Sequence, residues 1–160
     1  MVNMDTTKLL NWVQVLWLLV LVIITISLLT SAARAIDNPD APNFIGQFEA
    51  REKVLLKALN RPDRGSREQL LAYDNYQKFL DEELNKAYQL IKSKLPTDRQ
   101  QELTASQRNW LAFRDAEFEF INNNWNRQNF GSSAGISRGD YRSTVIRNRV
   151  MQLLQYARNY

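Results

Sequence analysis

Apolar residues recur at three- and four-residue steps over much of the chain after residue 43, which is the spacing of one face of an α-helix. The longest such stretch predicts a helix over about residues 66–95. Its apolar face holds Leu70, Tyr73, Leu80, Leu84, Ala87, Ile91 and Leu95. Pro96 ends this helix, because proline disfavours the helical conformation in the residue before it. The pattern resumes after the proline, so it predicts two long helices joined by a tight turn.

Two capping-box patterns mark the starts of these helices. Ser66 is followed three residues later by Gln69, and Thr97 is followed by Gln100. In a capping box the hydroxyl and the amide each satisfy a backbone N–H at the start of the helix. We therefore expect side-chain caps at both positions.

Two further helices complete the pattern. The first covers residues 44–59, and the last begins at Ser137 or Asp140, with Val145, Ile146, Val150, Leu153, Leu154 and Ala157 as its apolar stripe. The helix after the proline extends over about residues 97–125, and the polar, Gly/Ser-rich stretch 122–139 predicts an irregular connection. No strand-like alternation appears. The fold class is therefore all-α, a small bundle of about four helices built on a long antiparallel helix hairpin.

The first 35 residues have a different pattern. Lys8 precedes an apolar run over residues 15–29, and Ala33 and Ala35 then occupy the two small positions that a signal peptidase requires. This order predicts a signal peptide over residues 1–35, cleaved after Ala35.

The alternative is an uncleaved membrane anchor, since residues 9–29 are long enough to span a bilayer. Either outcome exports the rest of the chain to the periplasm or the extracellular space. The exported part then consists of a leader with the first helix, residues 36–65, and a helical domain, residues 66–160.

The composition excludes several kinds of site. The chain has no cysteine and no histidine, so disulfides, Ser/His and Cys/His nucleophiles and the commonest metal ligands are all missing. Asp115 and Glu119 share one helix face, but any acidic helix offers such a pair, so a glycosidase site is not indicated. No glycine-rich phosphate loop follows a strand. We expect a non-enzymatic protein with no catalytic residue, no cofactor and no bound metal.

The net charge of +4 is concentrated near the C-terminus. From Arg127 to the end there are six arginines and a single acid, Asp140. Export makes nucleic acid an unsuitable partner, which leaves anionic glycans, lipid headgroups and acidic protein faces. We expect most of these arginines, Arg147 among them, to lie on a solvated helix face.

The stretch QRNWLAFRDAEFEF, residues 107–120, concentrates rings and charges on the helix after the proline. Arg114 lies four residues after Trp110 and three before Glu117. These spacings allow the guanidinium to lie near the indole and to pair with the carboxylate.

The turn at Pro96 predicts which residues face this stretch. In an antiparallel hairpin, residues equidistant from the turn lie opposite one another, so Arg114 lies opposite Phe79 and Arg108 opposite Asn85. The predicted polar cluster holds Asp81, Asn85, Trp110, Arg114 and Glu117, with Tyr88 nearer the turn. A cluster of this kind more often fixes the register of two helices than performs chemistry.

These residues carry a resemblance to a known family. DEELNKAYQLIKSKL at residues 81–95, followed by QRNWLAFRDAEF at residues 107–118, resembles the LprI-type lysozyme-inhibitor domain of small, exported, helical bacterial proteins. The matching positions are Asp81, Leu84, Asn85, Tyr88, Gln107, Arg108, Trp110, Arg114 and Asp115. The resemblance covers about residues 70–154 and includes the Gly/Ser segment at 131–133.

The chain departs from the family pattern at its cysteines. The family's cysteine after the Arg-Asp pair is Phe118 here, and its cysteine at the start of the last helix aligns with Tyr141. We predict that an aromatic contact between Phe118 and Tyr141 takes the place of the disulfide that the resemblance implies.

The resemblance implies an exported binding protein that protects the cell envelope by occluding a lysozyme-like glycan hydrolase. Because many lysozymes are cationic, an acidic face at residues 81–83 would suit them better than the basic C-terminus. The alternative is a protein that binds anionic envelope glycan or lipid through the arginines of residues 127–158. Loops often carry function, so the candidate partner-binding residues are those of the predicted irregular segment: Trp125, Arg127, Phe130, Ser132, Ser133 and Arg138.

Overall fold

The computed structural model describes residues 41–160, so the predicted signal peptide or anchor lies outside the described residues. The helices of the described part are α1 (Phe44–Leu59), α2 (Ser66–Lys94), α3 (Thr97–Asn124), α4 (Arg127–Phe130) and α5 (Ala134–Ala157), with a turn of 3-10 helix (Gly131–Ser133) before α5. No strand occurs among these residues, and the predicted all-α class is confirmed. None of the described helices combines the length and apolar composition that a membrane span requires.

The predicted capping boxes do not form, although α1, α2 and α3 have the predicted bounds to within one residue. The Gln69 amide donates instead to the backbone carbonyl of Leu59 at 2.9 Å, and the Gln100 amide donates to that of Leu95 at 2.8 Å. The last carbonyls of a helix lack partners within it. Each glutamine therefore satisfies the end of the preceding helix rather than the start of its own.

Residues 122–139 are not regular throughout, as predicted, but they are far more helical than the irregular connection expected there. α3 continues to Asn124, α4 and the 3-10 turn occupy residues 127–133, and α5 begins at Ala134 rather than at Ser137 or Asp140. Gly131 has a positive φ of 57°, a conformation that favours glycine. The segment is thus a compact helical corner between α3 and α5.

Two glycines of this segment lie inside α5, where they allow it to approach α2 closely. A Cβ atom on Gly139 would lie 2.6 Å from Cγ of Tyr73, and one on Gly135 would lie 2.8 Å from Cδ2 of Leu70. Small residues that look like loop formers in the sequence therefore mark the contact face of a helix.

The hydrophobic core lies mainly between α2 and α5, which form the most closely packed helix pair, and α1 covers one side of it. Its buried members include Phe48 and Leu59 of α1, Tyr76, Leu80, Leu84, Ala87 and Ile91 of α2, and Ile146, Val150, Leu153, Leu154 and Ala157 of α5. The backbone of α3 lies closer to α5 than to α2. The two arms of the α2–α3 hairpin are therefore separated along much of their length.

A buried carboxylate connects three helices. Glu52 of α1 is 1 % exposed and accepts a hydrogen bond from the Tyr76 hydroxyl of α2 at 2.5 Å. Arg147 of α5 donates to both oxygens of Glu52, at 2.8 and 3.0 Å. Burial and the bond to Glu52 raise the pKa of Tyr76, which keeps this hydroxyl a neutral donor. Arg147 is therefore a half-buried partner of Glu52, and the expectation that it lies on a solvated face is wrong.

A second buried carboxylate, Glu83 of α2, forms another connection between α2 and α1. Arg51 donates to both of its oxygens, at 3.1 and 2.5 Å, and Lys86 donates at 3.0 Å. Burial alone would raise the pKa of Glu83, but the hydrogen bonds from Arg51 and Lys86 together lower it below its ordinary value.

We predict that Gly139→Ala lowers the free energy of unfolding by about 1–3 kcal/mol, measured by urea denaturation. The added methyl group overlaps the Tyr73 ring, and this overpacking outweighs the roughly 1 kcal/mol that alanine gains in a helix. Gly65→Ala is the control, because its Cβ meets nothing within 4 Å. At Gly65, alanine is a weaker N-cap, which lowers the free energy of unfolding, and it stiffens the unfolded chain, which raises that free energy by a similar amount. A Gly139→Ala variant as stable as the parent would contradict the close α2–α5 contact.

The depressed pKa of Glu83 makes stability depend on acid pH. The ionised form is favoured by folding, so its contribution is present above the unfolded-state pKa and is lost as the pH falls through the folded-state pKa. Glu83→Gln should lower the free energy of unfolding by about 1–2 kcal/mol at neutral pH and flatten its decline below about pH 4.5. Glu82→Gln, a change at the exposed neighbour, should leave both nearly unchanged. Identical pH profiles for the two variants would show that Glu83 is not stabilised by its partners.

Candidate functional site

The motif residues converge on an open groove between α2 and α3. We call this the α2–α3 groove. It has a volume of about 560 Å³, and its lining consists of Asp81, Leu84, Asn85, Tyr88, Gln89, Thr104, Gln107, Arg108, Leu111 and Arg114. Seven of the nine matched motif positions are in this set, and Trp110 and Asp115 are the two that are not. Most of the motif therefore lines an accessible surface instead of filling the core.

The groove adjoins a second cavity of about 390 Å³ nearer the turn. The second cavity is lined by Lys92, Thr97, Gln100, Gln101, Thr104, Ala105 and Arg108. Thr104 and Arg108 line both cavities. The two together extend along the α2–α3 seam.

Tyr88 and Thr104 bridge the two arms of the groove. Thr104 donates its hydroxyl proton to the carbonyl of Gln100 at 2.7 Å. Since a threonine hydroxyl has a single proton, the Tyr88 hydroxyl is the donor in its 3.0 Å bond to Thr104 Oγ1. The ammonium of Lys92 lies 5.6 Å from the centre of the Tyr88 ring. Tyr88 is thus fixed in place by both helices.

Gln107 is held from behind by a buried arginine. Arg149 of α5 donates from Nε to the Gln107 amide oxygen at 3.1 Å, and it also donates to Ser106 at 3.3 Å and to Gln152 at 2.7 Å. Burial lowers the pKa of Arg149 from its ordinary value. Its guanidinium carbon lies 5.8 Å from the centre of the Trp110 ring. Arg149 and Trp110 therefore attach α3 to α5, and they position the motif residues that line the groove.

Arg114 lies at the end of the groove away from the turn. It donates to Asp115 Oδ1 at 2.9 and 2.7 Å, so the predicted pairing with Glu117 is wrong. Its guanidinium carbon lies 5.8 Å from the ring centres of both Trp110 and Phe118, as the spacing to Trp110 predicts. Burial raises the pKa of Asp81 across the groove, and the charge of Arg114 opposes that rise.

Several polar side chains of the groove have no intramolecular partner. Within residues 41–160, the side chains of Asn85, Gln89 and Arg108 form no hydrogen bond and no ion pair. Their amide and guanidinium groups are available to a ligand.

A second exposed feature lies where α3 ends and α5 begins. The Trp125 ring packs against Tyr141 at 4.2 Å between ring centres, Phe120 at 6.1 Å and Phe130 at 6.5 Å. We call these four residues the aromatic surface. Phe120 is 56 % exposed, Phe130 44 % and Tyr141 43 %. The rings pack on one another at the surface and leave a contiguous apolar area, a feature that commonly marks interaction sites.

The other candidate residues of this segment are of two kinds: two bond to the backbone of the segment and two are exposed. Arg138 donates to the carbonyl of Trp125 at 2.7 Å, and the Ser133 hydroxyl donates to the carbonyl of Phe130 at 2.7 Å. These two residues hold the corner in shape. Arg127 and Ser132 are exposed beside the aromatic surface.

The predicted contact between Phe118 and Tyr141 is wrong, because each ring has a different partner. Tyr141 packs against Trp125, whereas the Arg142 guanidinium lies 5.4 Å from the centre of the Phe118 ring. Arg142 also donates to the side-chain oxygen of Asn122. Arg142, not Tyr141, therefore attaches α5 to α3. The alignment of Tyr141 with the family's cysteine misses the contacting residue by one position.

The internal bonds of the C-terminal arginines change the picture of the protein's charge. Arg138, Arg142, Arg147 and Arg149 all donate to other residues of the chain. The donors of these four arginines are therefore largely used within the chain, although among the described residues only Arg147 is paired with an acid. The acidic face proposed at residues 81–83 is likewise reduced, because Glu83 is buried between Arg51 and Lys86.

Comparison with known proteins gives one positive finding. The family model described as lysozyme inhibitor LprI matches residues 61–153, more than half of the chain. No curated protein and no solved structure matches. The matched range contains α2, α3, α4 and most of α5, and thus both the α2–α3 groove and the aromatic surface. The family is one of exported inhibitors rather than enzymes, and this chain belongs to the LprI lysozyme-inhibitor family.

Proposed function

We propose that this protein is an exported, non-enzymatic inhibitor that binds a lysozyme-like glycan hydrolase through the aromatic surface and so protects the cell envelope. Membership of the LprI family supports the class of partner. The observation that carries the choice of surface is the cluster of three partly exposed rings around Trp125.

The composition and rigidity of the aromatic surface suit protein binding. Tryptophan and tyrosine are enriched among the residues that dominate binding energy at interfaces. Arg138 and Ser133 bond to the backbone under the rings, so little side-chain or loop freedom is lost on binding. The corner is located at one end of the bundle, a position from which it can enter a cleft.

One exposed cation beside the rings suits the target. Like charge slows the association of two proteins, so the attraction has to be local. Arg127 is the exposed cation of α4 beside the rings. A glycan hydrolase carries two carboxylates in its cleft, and Arg127 is suited to pair with one of them.

Membership of a family of inhibitors supports the non-enzymatic part of the proposal.

The proposal also assigns a role to each of three segments of the chain. A signal peptide over residues 1–35 directs export, residues 36–65 form a leader with α1, and residues 66–160 form the LprI-like domain. α1 lies outside the matched range, but Phe48 and Glu52 are part of the domain's interior. We therefore expect α1 to be required for a stable inhibitor.

The test is a titration of lysozymes of different structural classes with the purified protein, which should inhibit at least one class at a fixed stoichiometry. The double variant Phe120→Ala/Phe130→Ala should weaken inhibition at least about tenfold, since loss of two anchoring rings costs more than about 1.4 kcal/mol. Phe113→Ala is the matched control, because Phe113 is a 54 % exposed ring of α3 outside the aromatic surface.

Thermal unfolding of both variants should be measured alongside, so that a loss of inhibition is not a loss of fold. If the parent binds no lysozyme of the panel, the proposed function is wrong. If the parent inhibits and the double variant inhibits equally well, the function stands and the enzyme binds another surface.

A further inference from the structure

We infer that the α2–α3 groove is a binding site for a glycan chain that carries carboxylate groups. This site is separate from the aromatic surface and takes a different class of ligand. The inference therefore does not depend on the proposed inhibition of a hydrolase.

The dimensions of the groove suit an extended ligand. The groove and its adjoining cavity have volumes of about 560 and 390 Å³. Their α3 lining runs from Thr97 to Arg114, which is roughly 25 Å at 1.5 Å per helical residue. A small ligand is usually enclosed by its pocket, whereas this open seam accepts a chain along its length.

The lining offers many hydrogen-bonding groups that the protein itself does not use. Asn85, Gln89 and Arg108 have no partner within residues 41–160. Each amide offers both donors and acceptors, and a guanidinium offers several donors in one plane. Adjacent hydroxyls of a sugar ring match such planar groups well.

Other groups of the groove are held in position before any ligand arrives. The amide oxygen of Gln107 accepts a hydrogen bond from Arg149, so the amide hydrogens of Gln107 remain available to a ligand. Tyr88 is fixed by its bond to Thr104. Side chains that are already immobilised lose less entropy on binding.

The charge of the lining favours carboxylates. Lys92, Arg108 and Arg114 face a single acid, Asp81. Arg114 uses Nε and Nη2 on Asp115 and keeps Nη1 available, and Arg108 is entirely unpaired within the described chain. Charge-assisted bonds from guanidinium to carboxylate are the strongest hydrogen bonds that such a surface forms.

The groove suits a glycan better than a segment of protein. Peptides that dock between helices insert apolar anchors into hydrophobic pockets. The aliphatic residues of the groove are Leu84, which is buried in the core, and Leu111. The other lining side chains combine apolar stems or rings with polar ends. A sugar chain, whose rings have both apolar faces and hydroxyls, satisfies both parts, whereas an apolar anchor would leave amides and cations desolvated without partners.

A matched pair of glycans tests the inference by calorimetry on the intact purified protein. The acidic probe is a peptide-free β-1,4 chain in which N-acetylglucosamine alternates with N-acetylmuramic acid, whose lactyl groups are carboxylates. The neutral probe is a chain of N-acetylglucosamine of equal length. We expect the acidic chain to bind, the neutral chain to bind at least tenfold more weakly, and the difference to shrink as salt is added.

Two variants locate the binding. Arg108→Ala should weaken binding of the acidic chain at least tenfold with an unchanged melting temperature, because Arg108 has no partner to lose in the described chain. Arg67→Ala removes the same charge from an exposed position of α2 outside the groove and should leave binding unchanged. Asn85→Ala should weaken binding of both chains, since it removes a hydrogen-bonding group and no charge.

Absence of binding by the parent protein, or equal effects of Arg108→Ala and Arg67→Ala, would overturn the inference. So would a result in which Arg108→Ala weakens binding to a hydrolase but not to the acidic chain, since the groove would then serve a protein. Phe120→Ala/Phe130→Ala should retain full glycan binding. That variant distinguishes failure of the groove from failure of the proposed inhibitory surface.

Discussion

The charge of Glu52 is acceptable inside this small bundle only because Tyr76 and Arg147 donate three hydrogen bonds to it. Glu52 belongs to α1, Tyr76 to α2 and Arg147 to α5. All three hydrogen bonds therefore form only when these helices have the observed mutual arrangement. This arrangement fixes how α5 lies on α2, and the close approach at Gly139 then follows. A chain without cysteines thus obtains a long-range connection from a partly buried ion pair.

Both candidate surfaces depend on that arrangement. The start of α5 supplies Tyr141 to the aromatic surface, and Arg149, two turns further along, holds Gln107 and α3. Because α3 is attached to α5, it remains apart from α2, and the separation is the groove. The aromatic surface consists of rings that pack on one another, whereas the groove is open and presents amide and guanidinium groups that are unpaired within residues 41–160. Different ligands are therefore expected at the two places.

Periodicity and Pro96 were sufficient to predict the three long helices before residue 125, because each is a local consequence of spacing and of one helix-breaking residue. Counting from the turn predicted a polar cluster across the hairpin, and its members Asp81, Asn85 and Arg114 do lie together, but along an open groove. Trp110 and Glu117, the other two predicted members, do not line that groove. The corner after α3 was not predictable in this way. Its glycines are close-contact residues, and this becomes visible only when α2 is present beside them.

The roles of the charged residues were the least predictable. Glu52 and Arg147 are 95 positions apart, and no local pattern indicates that they pair or that Glu52 is buried. Arg147 and Arg149 are located on a helix whose composition resembles a solvated basic face. The prediction of a Phe118–Tyr141 contact was wrong because an alignment specifies positions in the chain, whereas the direction in which each ring packs depends on its neighbours in the fold.

A double-mutant cycle between Glu52 and Arg147, measured by urea denaturation, tests most directly whether this pair organises the bundle. Arg147→Met should cost about 3–5 kcal/mol, because it leaves the Glu52 charge buried with one donor. Glu52→Gln removes that charge, so the double variant should be more stable than the sum of the single losses predicts, by at least about 1.5 kcal/mol. Single losses that add to within about 0.5 kcal/mol would show that the two side chains act independently. The helix arrangement, and with it the placement of both surfaces, would then have another origin.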